Sequence, residues 1–273
     1  MFIFKNSQIQ VRFMGFSGGE RHIQLTQLPP KTPLELALRV DLLKSDDIMD
    51  LLLLDNALTA HYQQQIPLNL EIPYLPYARQ DRVCAQGQAF SLQVMTQLLN
   101  LLNIKQLLFW DVHSDVALKL TGANQLSPVK IMQQSPLLIQ LLTDPNSVLI
   151  CPDKGAINRT LAIQQAFNIK TLIQAEKKRE ATTGKILKTV LHCDDLTTKT
   201  AIICDDICDG GMTFIKIAEV LKAKGAEKII LYITHGIFSR GLVIFEHLID
   251  EIFTTQSFPQ TKHPKLTVIQ VEQ

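Results

Sequence analysis

The sequence is poor in net charge. Its 27 Lys+Arg against 26 Asp+Glu leave a formal +1 over 273 residues, which argues against a chain built chiefly to hold nucleic acid or an anionic membrane. Long apolar runs are missing as well. The leucine run 51–54 is bounded by Asp50 and Asp55, and Met1-Phe2-Ile3-Phe4-Lys5 lacks the apolar stretch of a secretory leader, so no membrane partner is expected. Cysteine is sparse. The five, at 84, 151, 193, 204 and 208, are odd in number and lack zinc spacing, since the C-x-x-x-C of Cys204 and Cys208 has no second pair. They are expected to be reduced thiols of a cytoplasmic protein. There is no low-complexity segment or long linker, and only 254–264 reads as loop. What remains is ordinary globular material. Hydrophobic residues at 46 % suffice for a packed core and exclude wholesale disorder. At roughly 150 residues per domain, the length suits one large or two modest domains.

The pattern alternates strand and helix. Leu36, Leu38, Val40 and Leu42 follow strand period, and Asp46-Asp47 opens a helix running to about His61. Strands are expected over 68–74 and 106–110. Between them Ser91 is expected to cap a helix whose apolar face carries Val94, Leu98, Leu101 and Leu102. The rhythm recurs with strands over 148–151, 171–174, 201–204 and 229–234. Helices are expected over 156–167 and along Phe214, Ile217, Ala218 and Leu221, the latter closed by Gly225. Such alternation implies an α/β fold of parallel sheets with helices on both faces. A faint internal echo, in which a basic loop precedes a strand ending in Asp in each half, is what two related α/β halves, 1–127 and 128–273, divided near Ser127-Pro128, would leave, and a common α/β rhythm alone would leave it too.

The strongest chemical signal is Cys204-Asp205-Asp206-Ile207-Cys208-Asp209-Gly210-Gly211-Met212-Thr213. Ligands of parallel α/β sheets collect beyond the carboxyl ends of strands. Here paired carboxylates at such an end run into small residues and a hydroxyl that open a helix, the setting in which backbone N–H groups hold a phosphate. Carboxylates beside a phosphate need other partners, and sugar hydroxyls or a divalent cation supply them. The residues therefore describe a phosphosugar site. A second signal is Pro73-Tyr74-Leu75-Pro76-Tyr77-Ala78-Arg79-Gln80-Asp81-Arg82, where prolines fix an extended entry to arginine forks suited to polyphosphate. His113 and Asp153, each just past a strand, offer ligands to a hard cation such as Mg²⁺. Lys177-Lys178-Arg179 leads into a polar segment, 180–184, expected to be flexible and able to close over a transferring phosphoryl group.

In this order the motifs resemble the ribose-phosphate pyrophosphokinase family from about Phe13 to about Thr255. The stretch 77–82 is the most specific to that family, while the Asp-Asp-x-x-Asp element at 205–209 is shared with phosphoribosyltransferases. The resemblance implies two phosphoribosyltransferase-like halves, each a mostly parallel sheet flanked by helices. It implies transfer of the diphosphoryl group of ATP to O1 of ribose 5-phosphate, with Mg²⁺. Arg79, Gln80 and Asp81 are then ATP contacts, and Phe16 and Glu20 belong to an adenine-recognising hairpin. His113 and Asp153 serve the metal, and Lys177 and Arg179 belong to the catalytic loop. Asp205 and Asp206 take the ribose hydroxyls, and Asp209, Gly210, Gly211, Met212 and Thr213 its phosphate. Thr234-His235-Gly236 with Ser239 matches the family's late strand end. A homo-oligomer, dimer or hexamer, is implied because the hairpin often serves a neighbouring subunit. Departures are Gly18 where the family carries Asp, Met212 where it carries Gly, Lys154 and Ala156 after Asp153, a shorter N-terminal segment and an uncharged stretch 83–89. Two alternatives stand beside this reading: a phosphoribosyltransferase, and a non-catalytic regulatory homologue that binds a true synthase.

Overall fold

The computed structural model describes residues 2–5, 8–179, 186–193 and 195–272. The chain forms two compact units, Met1–Leu126 and Ser127–Gln273, each with its own apolar core. No helix among the described residues is long and apolar enough to cross a membrane, and the five cysteines form no disulfide.

The first unit runs β1 (Phe2–Phe4), β2 (Gln10–Gly15), β3 (Arg21–Gln27), β4 (Leu36–Val40), α1 (Ser45–Tyr62), β5 (Leu68–Ile72), α2 (Ser91–Leu99), β6 (Ile104–Trp110), α3 (Asp115–Thr121) and β7 (Asn124–Leu126). Its sheet has the order β1-β4-β5-β6-β7, with β2 and β3 forming a separate hairpin. The pairs from β4 to β7 are parallel and β1 is antiparallel to β4. The alternation read at Leu36, Leu38 and Val40 is the inward face of β4. The phase of α2 is a correction. Its buried residues are Leu92, Met95, Thr96 and Leu99, and Phe90, not Ser91, holds the cap position without a side-chain bond. Of the expected face, Val94 and the following Leu101 are exposed, while Leu98 packs half-buried against the core and Leu102 is buried. Apolar residues lie on both sides of this helix, so the periodicity alone did not fix which side packs.

The second unit runs α4 (Pro128–Met132), α5 (Pro136–Thr143), β8 (Ser147–Cys151), a 3₁₀ turn (Lys154–Ala156), α6 (Ile157–Phe167), β9 (Thr171–Arg179), β10 (Ile186–Leu191), β11 (Thr200–Cys208), α7 (Met212–Ala223), β12 (Lys228–Gly236), a second 3₁₀ turn (Val243–Phe245), β13 (Glu251–Thr255) and β14 (Leu266–Ile269). The sheet order is β10-β9-β8-β11-β12-β13-β14. All pairs are parallel except β9 with β10. β8 is buried at every position, and β12 at every position but Lys228, which is why these strands read as continuous apolar runs. Phe214, Ile217, Ala218 and Leu221 are the buried face of α7.

This strand order places the chemistry. From β8 the chain passes through α6 to β9 on one side, then returns to β11 on the other. The crevice at the carboxyl ends of β8 and β11 is therefore a topological switch point, the place where open α/β sheets bind ligands. In the first unit β4 to β7 follow one another without reversal, so its parallel strands have no such crevice.

Candidate functional site

β11 is longer than its apolar run suggested. It continues through the paired carboxylates to Cys208, so Asp205 and Asp206 lie within the strand and not past its end. They are nonetheless at a sheet boundary. β11 pairs with β8 from Thr200 to Ile203, while its pairing with β12 runs on to Cys208 opposite Gly236. Among the described residues β11 has no strand partner on the β8 side beyond Ile203. Successive strand residues point to opposite faces, yet Arg159 Nη1 lies 3.6 Å from Oδ1 of both Asp205 and Asp206. One cation reaches both because it enters over the open edge, from the first turn of α6. The Asp206 N–H also donates to Asp205 Oδ1 at 3.0 Å.

The electrostatics follow from this geometry. Desolvation and the charge on Asp206 push the Asp205 carboxyl well above the usual carboxylate range, and Arg159 opposes the shift. Two carboxylates, one of them reluctant to ionise, make a site that gains when hydroxyl donors or a cation arrive. The Cys208 thiol is pushed up to about 12 by desolvation and by the charges of Asp205 and Asp209. It stays protonated at neutral pH and is no nucleophile.

The following loop is held from behind. Ile237 and Phe238 donate backbone N–H groups to the Cys208 carbonyl at 2.9 and 3.0 Å, and the Ser239 N–H donates to the Asp209 carbonyl at 3.2 Å. Gly211 takes the left-handed conformation, φ 73°. A Cβ there would stand 2.6 Å from Phe245 Cζ and 2.9 Å from Ile244 Cδ1, so both conformation and close packing require glycine. Met212 is the exposed first residue of α7. The loop's demand for glycine therefore falls on 211, and Met212 sits without backbone strain at the start of α7, where the Phe214 and Ile215 N–H groups bond the Gly211 carbonyl at 3.0 and 3.1 Å and those of Met212 and Thr213 precede the first intrahelical bond. The Thr234-His235-Gly236 end of β12 is buried behind the loop. His235 Nδ1 pairs with Ser257 Oγ at 3.0 Å, and the Gly236 N–H donates to Thr254 Oγ1 at 3.0 Å.

In the first unit two motifs are anchored on one helix. Phe16 and Glu20 lie at the tip of the β2–β3 hairpin, closed by the Phe16 N–H to the Glu20 carbonyl at 2.9 Å. Phe16 is 57 % exposed, a flat ring open to stacking. A Cβ on Gly18 would meet Glu20 Oε2 at 2.5 Å, so glycine at 18 lets the Glu20 carboxylate fold back over the turn. The base of the tip is fixed by Arg21, which grips buried Asp50 of α1 through both Nε, at 2.9 Å, and Nη2. Arg79, Gln80 and Asp81 follow a turn in which Tyr77 has φ 64°, a conformation uncommon outside glycine. The Gln80 N–H closes this turn on the Tyr77 carbonyl, and Tyr77 Oη bonds Ser45 Oγ at 2.7 Å. Ser45 and Asp50 are five residues apart on α1, about 7.5 Å along its axis. The hairpin and the Arg-Gln-Asp turn thus share the first two turns of that helix.

Other expected residues are placed singly. His113 is exposed after the left-handed residue Asp111, φ 34°. Asp153 Oδ1 accepts from the Gly155 and Ala156 N–H groups at 3.0 and 3.3 Å, capping the turn after β8. No group of three or more His, Cys, Asp or Glu able to hold a metal occurs among the described residues. Lys177 and Arg179 lie on β9, opposite Thr189 and Ile186 of β10, so they belong to the end of a hairpin strand that runs well past the expected 174. The segment 180–184 lies outside the described residues. A polar depression of about 490 Å³, lined in part by Asp144, Glu227 and Asp250, sits at the amino ends of the strands, opposite this chemistry. Asp250 there is occupied by the Ile229 N–H at 2.8 Å.

Arg159 is a residue that the motif reading missed. The available signal was a cation in the first turn of a helix, where the dipole disfavours it unless carboxylates compensate.

The phosphoribosyl synthetase-associated domain family matches residues 164–272. The ribose-phosphate pyrophosphokinase of Mycoplasmopsis pulmonis is 30 % identical over 233 residues, covering 82 % of this chain and 70 % of that protein. The enzyme of the same name from Pyrococcus furiosus is 27 % identical over 261 residues, covering 95 % and 89 %. The crystal structure of phosphoribosylpyrophosphate synthetase from Mycobacterium smegmatis aligns with a TM-score of 0.78 at 20 % identity, over 96 % of this chain and 85 % of that one. It carries the same α/β fold of mostly parallel sheets. By identity and coverage, this chain belongs to the ribose-phosphate pyrophosphokinase family.

Proposed function

We propose that the chain is a ribose-phosphate diphosphokinase, making phosphoribosyl pyrophosphate and AMP from ribose 5-phosphate and ATP. The observation that carries the reading is the Asp205–Asp206 pair running into the Gly211 turn and α7 at a topological switch point. It offers acceptors for sugar hydroxyls next to donors for a phosphate, in a chain whose relatives bear that enzyme's name. Asp205 and Asp206 hold the ribose hydroxyls, and Asp209 to Thr213 the 5-phosphate. Phe16 and Glu20 take adenine, Arg79, Gln80 and Asp81 the rest of ATP, and the protein works as a homo-oligomer in the cytoplasm.

O1 of the ribose attacks the β-phosphorus. The O1–P bond forms as the bond to the α,β-bridging oxygen breaks, AMP leaves with that oxygen, and the hydroxyl proton passes to solvent. Little covalent help is needed. Alignment, with charge neutralisation by Lys177 and Arg179, supplies the rate. The residues fit magnesium. The protein offers few donors, the Asp153 carboxylate and the His113 imidazole, and Mg²⁺ takes most of its ligands from water and phosphate instead of a full protein cage. His113 and Asp153 are assigned to it. When bound, it neutralises charge on the phosphate oxygens. The test is AMP formation from ATP with and without ribose 5-phosphate. Formation only with the sugar phosphate supports the reading. Consumption of phosphoribosyl diphosphate with a nucleobase, and no ATP-dependent synthesis, refutes it in favour of a transferase.

A further inference from the structure

A phosphate in the 209–213 loop enters a crowded acidic neighbourhood. Asp205, Asp206 and Asp209 lie within five residues, and the nearby Arg159 already faces the first two. A dianion held there by backbone N–H groups, which carry only partial charges, gains from a further counter-charge. The loop also lacks a side chain at Gly210, so that position offers no hydroxyl. The space is occupied instead by Arg240. A Cβ on Gly210 would lie 3.6 Å from Arg240 Nε and 4.0 Å from its Cδ.

Arg240 is held in this place by its backbone. It sits in a tight turn closed by the Gly241 N–H to the Phe238 carbonyl at 2.8 Å, with Phe238 at φ 46° and Gly241 at φ 69°. The bonds from Ile237, Phe238 and Ser239 to the carbonyls of Cys208 and Asp209 stitch that turn to the loop. The Arg240 side chain is exposed and makes no ion pair among the described residues, whereas Lys5, Arg21, Arg39 and Lys228 each have a carboxylate partner. An unpaired guanidinium laid against an anion loop is a donor fork kept for a ligand.

We infer that Arg240 is the cationic clamp for the 5-phosphate, setting the enzyme's preference for a phosphorylated sugar. This rests on the phosphosugar reading of the loop. It also accounts for Gly210: a branched residue there would extend from that Cβ into the guanidinium and displace it.

The test is calorimetric titration of wild type, Arg240→Ala and Arg240→Lys with ribose 5-phosphate, and separately with ATP. A charge-assisted contact to a phosphate predicts that Arg240→Ala weakens ribose 5-phosphate about tenfold to a hundredfold. ATP affinity should stay within about twofold, and Arg240→Lys should recover part of the loss. Unchanged ribose 5-phosphate affinity in Arg240→Ala, with wild type binding well, overturns the clamp and leaves the proposed function standing. Equal weakening of both ligands also overturns it, because that marks a structural role. Failure of wild type to bind ribose 5-phosphate refutes the proposed function, and the clamp with it.

Discussion

Arg159 stands 3.6 Å from Asp205 although the two sit on different elements of the second unit, one opening α6 and the other far along β11. The same nitrogen is 3.6 Å from Asp206. Strand β8 ends short of the carboxylates, and the helix that follows it returns a cation to the edge it leaves open. The pair is thereby held in the crevice with part of its repulsion relieved and part retained.

The retained part has a measurable consequence. Asp205 has a raised pKa in the fold, from desolvation and from Asp206. Between the ordinary Asp value near 3.9 and that raised value, the native state keeps a proton that the unfolded chain has released. Stability from this group is therefore complete below the ordinary value and is lost as pH rises through the raised one. Asp205→Asn removes the dependence. We expect its melting temperature to exceed wild type at neutral pH by about 3 °C, the scale of 1 kcal/mol in a domain of this size. The gain should shrink towards pH 4, and activity should fall. Melting curves across pH 4–8 check it, and a gain that ignores pH would contradict the assignment.

Asp206→Asn tests the division of labour between substrates. The amide still accepts a hydrogen bond from a sugar hydroxyl but loses the charge-assisted strength. The KM for ribose 5-phosphate should rise about tenfold or more, and that for ATP should change little. Steady-state kinetics with each substrate varied in turn give both numbers, and parallel rises would remove Asp206 from the ribose site.

Lys177→Ala addresses the end of β9. A positioned cation that meets charge developing in transfer contributes roughly 10²–10³-fold to kcat, with much smaller changes in substrate KM. Single-turnover rates at saturating substrates measure it directly. A kcat within about twofold of wild type would leave Lys177 as a solvated strand residue.

Much of this was legible in the residues, and the failures have physical causes. Phe214, Ile217, Ala218 and Leu221 mark one helical stripe, and all four are buried. The apolar runs ending at Cys151 and Thr234 mark strands buried on both faces. Helix α2 was mis-phased because Val94 competes with Leu92, Met95 and Leu99 for the core, and only packing decides between them. The extension of β11 through Asp205 and Asp206 was hidden because the hydrophobic run stops where the strand leaves the core, while its backbone stays paired to β12. Arg159 and Arg240 were missed for a shared reason. Arg159 reaches the carboxylate pair of β11 and Arg240 the loop after it, each from another element, so no local motif contains them.

The last prediction separates two adjacent glycines. Gly211 has φ 73°, and a Cβ there would stand 2.6 Å from the Phe245 ring and 2.9 Å from Ile244. Gly211→Ala forces a left-handed alanine and an overpacked contact together, a cost of about 2–4 kcal/mol. In a domain of this size that lowers the melting temperature by roughly 5–15 °C. The loop must also shift to relieve the clash, so ribose 5-phosphate should bind more weakly than ATP's small change would suggest. Gly210 is different. Its φ is not in the left-handed range, and its nearest neighbour, Arg240 Nε at 3.6 Å, is in ordinary contact distance. Gly210→Ala should leave the melting temperature within about 2 °C of wild type, as for a surface substitution. Differential scanning calorimetry of the two variants decides it. Comparable losses at both positions would mean that the loop tolerates no Cβ anywhere, and a harmless Gly211→Ala would mean that the tight turn ahead of α7 is not what shapes the site.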